Sequence, residues 1–196
     1  MDDVFLIVGL GNPGAEYANT RHNAGFLLVN RLAAQWKCDW TGEKKFQARI
    51  AKTARDGKRI FLCQPQTFMN ASGETVGALK DFYQVPLARL LVVADDADLP
   101  LGTIRLRPEG SSGGHHGLES VEQHLASREF ARLKIGIGRK DGLREITNHV
   151  LGRFESAESA LLEKVLDRAT AQVEAWLGAG MEKAMQFNGT VEEVKS

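Results

Sequence analysis

The sequence predicts a single α/β domain spanning residues 1–196, a mixed and mostly parallel sheet flanked by helices. Three observations predict it. Two short runs, residues 4–8 (VFLIV) and 90–94 (LLVVA), are continuously apolar, as strands covered on both faces are. Segments with apolar residues at three-to-four spacing alternate with such runs, the rhythm of β-α-β units. A chain of 196 residues, 43% hydrophobic and 26% charged, can bury one substantial core, and it shows no internal repeat or linker.

Taken in order, residues 4–8 form the first strand. Residues 24–36 form a helix, with Phe26, Val29, Leu32, Ala33 and Trp36 on one side. Residues 46–53 and 59–63 read as strands joined at Arg55-Asp56-Gly57-Lys58, where Asp-Gly is a strong hairpin signal. The loop QPQTFMN (64–70) leads into a helix over 72–82, and Pro86 confirms its end. Residues 90–94 are expected to be the central parallel strand, running into Asp95-Asp96-Ala97-Asp98. Residues 103–107 alternate as a half-exposed strand with Arg105 and Arg107 on one face. The glycine-rich EGSSGGHHG (109–117) precedes a helix over 118–125, and residues 133–137 form a strand leading into the basic pair Arg139-Lys140. A long amphipathic helix covers 159–177 and ends at Gly178; a short helix follows over 181–187.

Composition excludes several classes. No apolar run approaches the roughly 20 residues needed to span a bilayer. Asp2 and Asp3 stand where a signal peptide would be basic. Two cysteines, Cys38 and Cys63, without a C-x-x-C argue against a disulfide framework or a zinc site and fit a reducing cytoplasm. Net charge is zero but uneven: residues 43–59 balance to +5, 105–153 to +3 and 155–196 to −4. A basic face suited to a polyanion can therefore sit on a neutral chain.

The chemistry gathers after strands. Gly9, Gly11 and Gly14 satisfy G-x-G-x-x-G, but Pro13 precedes the last glycine and residues 15–23 carry no apolar helical period, so a dinucleotide site is not expected. Asn12 and His22 follow the first strand, Asn70 precedes a helix, Asp95 follows the central strand, and His115 and His116 lie in the glycine loop. A histidine titrates near neutrality and is the usual general base; an adjacent Asp would fix its tautomer and stabilise the imidazolium. Asn side chains offer both a donor and an acceptor, suited to holding an amide or polarising a carbonyl. The Asp95-Asp96-Ala97-Asp98 cluster lacks a clear second ligand set, so no metal is expected. With no G-x-S-x-G, direct attack of water on an ester is the simplest hydrolytic reading.

The blocks LIVGLGNPGAEYANTRHNAGF, QPQTFMNASG, DDADLPLGTIRLR, GSSGGHHGLESV, RLKIGIGR and HVLGRF closely resemble the bacterial-type peptidyl-tRNA hydrolases, in order from about residue 5 to 155. The resemblance implies a monomeric, metal-free and cofactor-free cytoplasmic enzyme with a peptidyl-tRNA-hydrolase-like (phosphorylase/hydrolase-like) fold. Its substrate would be peptidyl-tRNA, its reaction hydrolysis of the ester between the peptide and the 3′-terminal ribose. It implies His22 as general base and Asp95 as its orienting partner, Asn12 as the reader of an N-blocked amino group, from whose amide N–H its side chain would accept, and Tyr17, Phe68 and Asn70 as substrate contacts. Arg105, Arg107, Lys134 and Arg139 fall where the family contacts tRNA. The chain departs from the family pattern Gly-Gly-His-Asn-Gly at His116, where the expected Asn would contact substrate.

Overall fold

Strand β1 (Asp3–Gly9) runs through the middle of the sheet because both of its faces are apolar: Leu6, Ile7 and Val8 are fully enclosed. The computed structural model describes residues 3–139 and 143–192. Among these, eight strands form one sheet in the order β2-β3-β4-β1-β5-β7-β6-β8. The remaining strands are β2 (Trp40–Glu43), β3 (Ala48–Arg55), β4 (Lys58–Pro65), β5 (Leu90–Asp96), β6 (Thr103–Arg107), β7 (Ala131–Gly136) and β8 (Gly189–Thr190). The four central strands β4, β1, β5 and β7 are parallel, and antiparallel strands complete both edges. The runs expected to be buried on both faces are therefore the parallel centre.

Helices cover both faces. On one side α1 (Ala24–Gln35) and α5 (Ser159–Ala179) pack on Ile7, Leu62, Val93 and Leu133. On the other α2 (Ser72–Phe82) and α3 (His116–Leu125) pack on Leu6, Val8, Phe61 and Val92. Two shorter helices, α4 (Leu143–Leu151) and α6 (Met181–Met185), complete the set.

The structure adds three elements to those expected from sequence. Strand β2 is four residues long, contains Gly42 and lies at an edge, so its pattern carries little information. Strand β8 is two residues. Helix α4, LREITNHVL, is nine residues long; its sequence does carry an apolar stripe through Ile146 and Val150, and the expectation assigned no helix there. Several boundaries also move: β3 is Ala48–Arg55 rather than 46–53, β4 Lys58–Pro65 rather than 59–63, β7 Ala131–Gly136 rather than 133–137, and α6 ends at Met185 rather than residue 187. Helix α3 starts at His116 rather than residue 118 because the His115 side chain caps it, and α5 runs through Gly178 to close at Gly180, whose φ is 90°. The basic loop is described as far as Arg139; Lys140 lies outside the described residues.

The glycines that mimic a dinucleotide fingerprint serve helix–strand packing instead. A Cβ on Gly9 would lie 2.3 Å from the Gly25 carbonyl oxygen, and one on Gly25 would lie 2.5 Å from that of Val93. The first turn of α1 thus rests directly on the ends of β1 and β5, which fixes the loop between them. That loop carries two single-turn 3₁₀ helices, Ala15–Tyr17 and Arg21–Asn23. Substituting Gly25→Ala should lower unfolding free energy by about 3 kcal/mol, because the opposing atoms are backbone and cannot rotate away. Gly178→Ala, inside α5 with nothing within 4 Å of the new methyl, should instead add about 0.5–1 kcal/mol. Urea unfolding of both variants measures the contrast; a neutral Gly25→Ala would contradict the contact.

Candidate active site

Strand β5 ends by placing Asp95, only 3% exposed, between two imidazoles. His22 stands on the 3₁₀ turn after β1, and His115 is the residue that caps α3. His22 Nδ1–H donates to both carboxylate oxygens, at 2.8 and 3.0 Å. His115 Nε2–H donates to Oδ1 at 2.8 Å, and the two rings lie 5.0 Å apart. The partners assign the tautomers. His115 Nδ1 accepts the backbone N–H groups of Gly117 and Leu118, at 3.1 and 3.2 Å, so its ring proton is on Nε2. His22 spends its Nδ1–H on Asp95, which leaves the Nε2 lone pair without a partner among the described residues. The same residue type thus plays two parts, one ring a fixed donor and the other an available base.

Burial alone would lower the pKa of His22, but the charge of Asp95 and the hydrogen bond to it prevail and raise it. Burial would raise that of Asp95; the two rings, His115 and then His22, hold it well below the usual carboxylate range. Asp95 is therefore ionised throughout the neutral range.

Asn12 is fixed from both ends. Its backbone N–H donates to Asn23 Oδ1 at 2.8 Å, and Asn23 Nδ2 donates back to its carbonyl at 3.0 Å. Its side-chain Oδ1 accepts the Met69 N–H at 2.8 Å. Because a backbone N–H requires an oxygen opposite, the amide orientation is determined, and Nδ2 is the end left without a partner among the described residues. The sequence expectation had this amide accepting from substrate; the geometry presents a donor.

The His22 turn is held from behind by Arg21, whose side chain points away from the cleft. Its guanidinium reaches Glu158 at 2.9 Å and the His149 carbonyl at 3.2 Å, while its backbone N–H donates to the Gly152 carbonyl. Thr20 and Arg153 form an isolated antiparallel bridge beside it. Helix α4 and the segment after it are thereby fastened to the turn carrying His22. Arg21 and Asn23 were not singled out from sequence, and neither carried a signal there. His115 was named with His116 in the glycine loop, but its part as the cap of α3 and a donor to Asp95 was not.

A cleft of about 530 Å³ opens over these groups. It gathers Asn12, His22, Asp95, His116, Lys134 and Arg139 from the residues expected on sequence grounds, and Ile146, Val150 and Leu151 of α4 form its apolar wall. His116, with 78% of its side chain exposed, sits 3.8 Å from Glu119. The acidic run at the end of β5 positions the cations: Asp96 pairs with Lys134 at 3.8 Å and Asp98 with Arg139 at 3.1 Å. Tyr17, Phe68, Asn70, Arg105 and Arg107 do not line this cleft. Phe68, 67% exposed, and Asn70 flank Met69, whose N–H holds Asn12. Tyr17 is half-buried in the first 3₁₀ turn. Arg105 pairs in register with Lys134 across β6 and β7, which continues the cationic line outward; Arg107 lies beside buried Arg132.

Ligand atoms of His22, Asp95 and His115 lie within 4.8 Å of one another, near enough for a metal in principle. The hydrogen bonds argue against one. Metal at His115 Nε2 would require its proton on Nδ1, where two backbone donors already point.

A doubly covered parallel sheet with an ionised Asp–His pair at its carboxyl edge, and cations at the rim of the cleft, defines an α/β enzyme of hydrolytic type. The profile of the peptidyl-tRNA hydrolase family matches residues 6–195. The chain is 49% identical over 182 residues to the peptidyl-tRNA hydrolase of Gloeobacter violaceus, covering 93% of this chain and 92% of that one. It is 50% identical over 184 residues to that of a Synechococcus species, covering 93% and 82%. The crystal structure of the Acinetobacter baumannii peptidyl-tRNA hydrolase superposes with a TM-score of 0.91 at 38% identity, covering 97% of each chain. The chain belongs to the peptidyl-tRNA hydrolase family and is an ester-bond hydrolase acting on peptidyl-tRNA.

The double role of His115 generates a test. His115→Ala removes both the cap and a donor to Asp95, and should cost about 1–2 kcal/mol of stability. His115→Asn keeps a capping acceptor and should restore most of it. In both variants Asp95 has one donor fewer and binds the His22 proton more tightly, so the His22 pKa followed by NMR should rise further. An unchanged His22 titration in folded His115→Ala would remove His115 from the network.

Proposed function

We propose that His22 is the general base of the reaction and that Asp95 orients it and supports its charged form. The observation that carries this is the His22 Nδ1–Asp95 hydrogen bond, which commits one ring nitrogen and leaves Nε2 to take a proton from water. The activated water attacks the carbonyl carbon of the ester joining the peptide to the 3′-terminal ribose. The C–O bond to the ribose breaks, the proton held at Nε2 passes to the leaving oxygen, and free tRNA departs. Neither a metal nor a cofactor has a step to perform.

Asn12 Nδ2 donates to the carbonyl of the group that blocks the amino end. An aminoacyl-tRNA with a free amine has no such carbonyl and would set an ammonium against the positive end of the amide dipole. Lys134 and Arg139 at the cleft, with Arg105 and Arg107 further out, supply phosphate contacts to the tRNA. Tyr17, Phe68, Asn70 and His116 border the approach of the substrate. The chain is read as one unit over residues 1–196, working as a monomer in the cytoplasm. Among the described residues no helix is long and apolar enough to cross a membrane.

The assay is release of the acyl amino acid from N-acetyl-aminoacyl-tRNA. His22→Ala should lower the rate roughly 10²–10⁴-fold with the fold intact; a folded variant of near-wild-type rate would overturn the assignment. The pH profile gives the sign of the Asp95 contribution. The base must be neutral, and Asp95 raises its pKa, so the acid limb of kcat/KM should lie above the ordinary histidine value. In Asp95→Asn the raising charge is gone while burial still opposes protonation. The limb should move to lower pH while the plateau falls, and a limb that stays in place would assign it to another group. Asn12→Asp replaces the outward donor by a carboxylate oxygen and should narrow the kcat/KM preference for blocked over free aminoacyl-tRNA; an unchanged ratio would remove Asn12 from that role.

A further inference from the structure

A second cavity, of about 310 Å³, opens on the other side of Asn12 and shares only that residue with the main cleft. Its floor is a polar relay built on β4. Gln64, almost fully buried, donates through Nε2 to Asn30 Oδ1 at 2.8 Å and to the Phe26 carbonyl at 3.3 Å. Its Oε1 accepts from Arg49 Nη1 at 3.2 Å. The Arg49 guanidinium lies over the Trp40 ring, 5.4 Å from its centroid, and this stacking together with Gln64 holds it at the rim. None of these residues serves the chemistry at His22.

The unsatisfied groups around this cavity are mainly donors. They are the outward Nδ2 of Asn12, the Nδ2 of Asn30 and the remaining N–H groups of Arg49, which have no partner among the described residues. Gln66 has already spent Nε2 on the Gln64 carbonyl. A donor-rich pocket with one positive charge suits carbonyl oxygens and carboxylates. The substrate presents both ends of its chain at Asn12. The RNA end belongs with the cleft that holds Lys134 and Arg139, so the peptide must leave the other way.

We propose that this second cavity receives the residue preceding the esterified one, and that Arg49 gives it a preference for an acidic side chain there. The inference rests on cleavage occurring at His22 beside Asn12. The backbone carbonyl of the preceding residue meets Asn12, its side chain enters over Gln64, and Arg49 determines what charge is welcome. An N-acetyl-aminoacyl-tRNA carries only a methyl at this point and leaves the cavity unused.

The test compares three substrates that share one tRNA at fixed salt: N-acetyl-aminoacyl-tRNA, and acetylated dipeptidyl-tRNAs with Asp or Lys before the esterified residue. The wild-type kcat/KM should favour Asp over Lys by about two- to fivefold, the range expected for a solvent-exposed cation. Arg49→Gln keeps a donor for buried Gln64 and removes the charge, so the ratio should fall to about one. Arg49→Glu should invert it. Neither variant should change the N-acetyl substrate by more than about twofold. A preference unchanged in Arg49→Gln, or a drop of equal size on all three substrates, would overturn the proposal, the latter assigning Arg49 to the RNA. Continued cleavage of the N-acetyl substrate by folded His22→Ala would instead overturn the assignment of the base. The two failures are therefore distinguishable.

Discussion

The site depends on one buried carboxylate that must remain charged. Asp95 is nearly inaccessible at the end of a central parallel strand, where an unpaired negative charge would be very costly. Two imidazole N–H groups satisfy it, and neither ring is free to do otherwise. His115 is held by the backbone donors of α3, and His22 by a 3₁₀ turn that rests on a glycine–glycine contact and is fastened behind by Arg21. A shift in any of these supports would leave Asp95 with an open lone pair. The packing of α1 on β1 and β5 is thus coupled to the electrostatics of the site.

The parallel centre and most helices were legible because they depend on local pattern. The runs LIV and LLVV need no partner to be recognised as buried, and α2 has the bounds that its sequence periodicity indicates, Ser72–Phe82. His22 and Asp95 were legible because each follows such a strand. Illegible were the features that depend on distant pairing. β2 and β8 exist only because a neighbouring edge is available, and α4 is fastened from Arg21, 128 residues away in sequence, as well as by the bond of His149 Nε2 to the Ile137 carbonyl. The orientation of the Asn12 amide could not be read either. It is decided by the backbone N–H of Met69, on the loop after β4, and it turns an expected acceptor into a donor.

The neutral net charge conceals an organised surface. Asp96 and Asp98 of the acidic cluster pair with Lys134 and Arg139 at the cleft. On the proposed function, these cations would exchange a carboxylate for a phosphate when RNA arrives. Arg105 extends that line across the sheet edge, and Arg49, on the opposite side of Asn12, stands apart from it. The +5 balance of residues 43–59 therefore need not belong to the same binding surface as the cations of β6 and β7.

The central claim is that the two histidines flanking Asp95 hold opposite tautomers, one open for proton transfer and the other locked. ¹⁵N chemical shifts of the imidazole nitrogens, recorded above the titration of His22, measure this directly. The account predicts His22 protonated on Nδ1 with a free Nε2, and His115 protonated on Nε2 with Nδ1 in a hydrogen-bonded acceptor position. His22 protonated on Nε2, or both rings in the same tautomer, would contradict it.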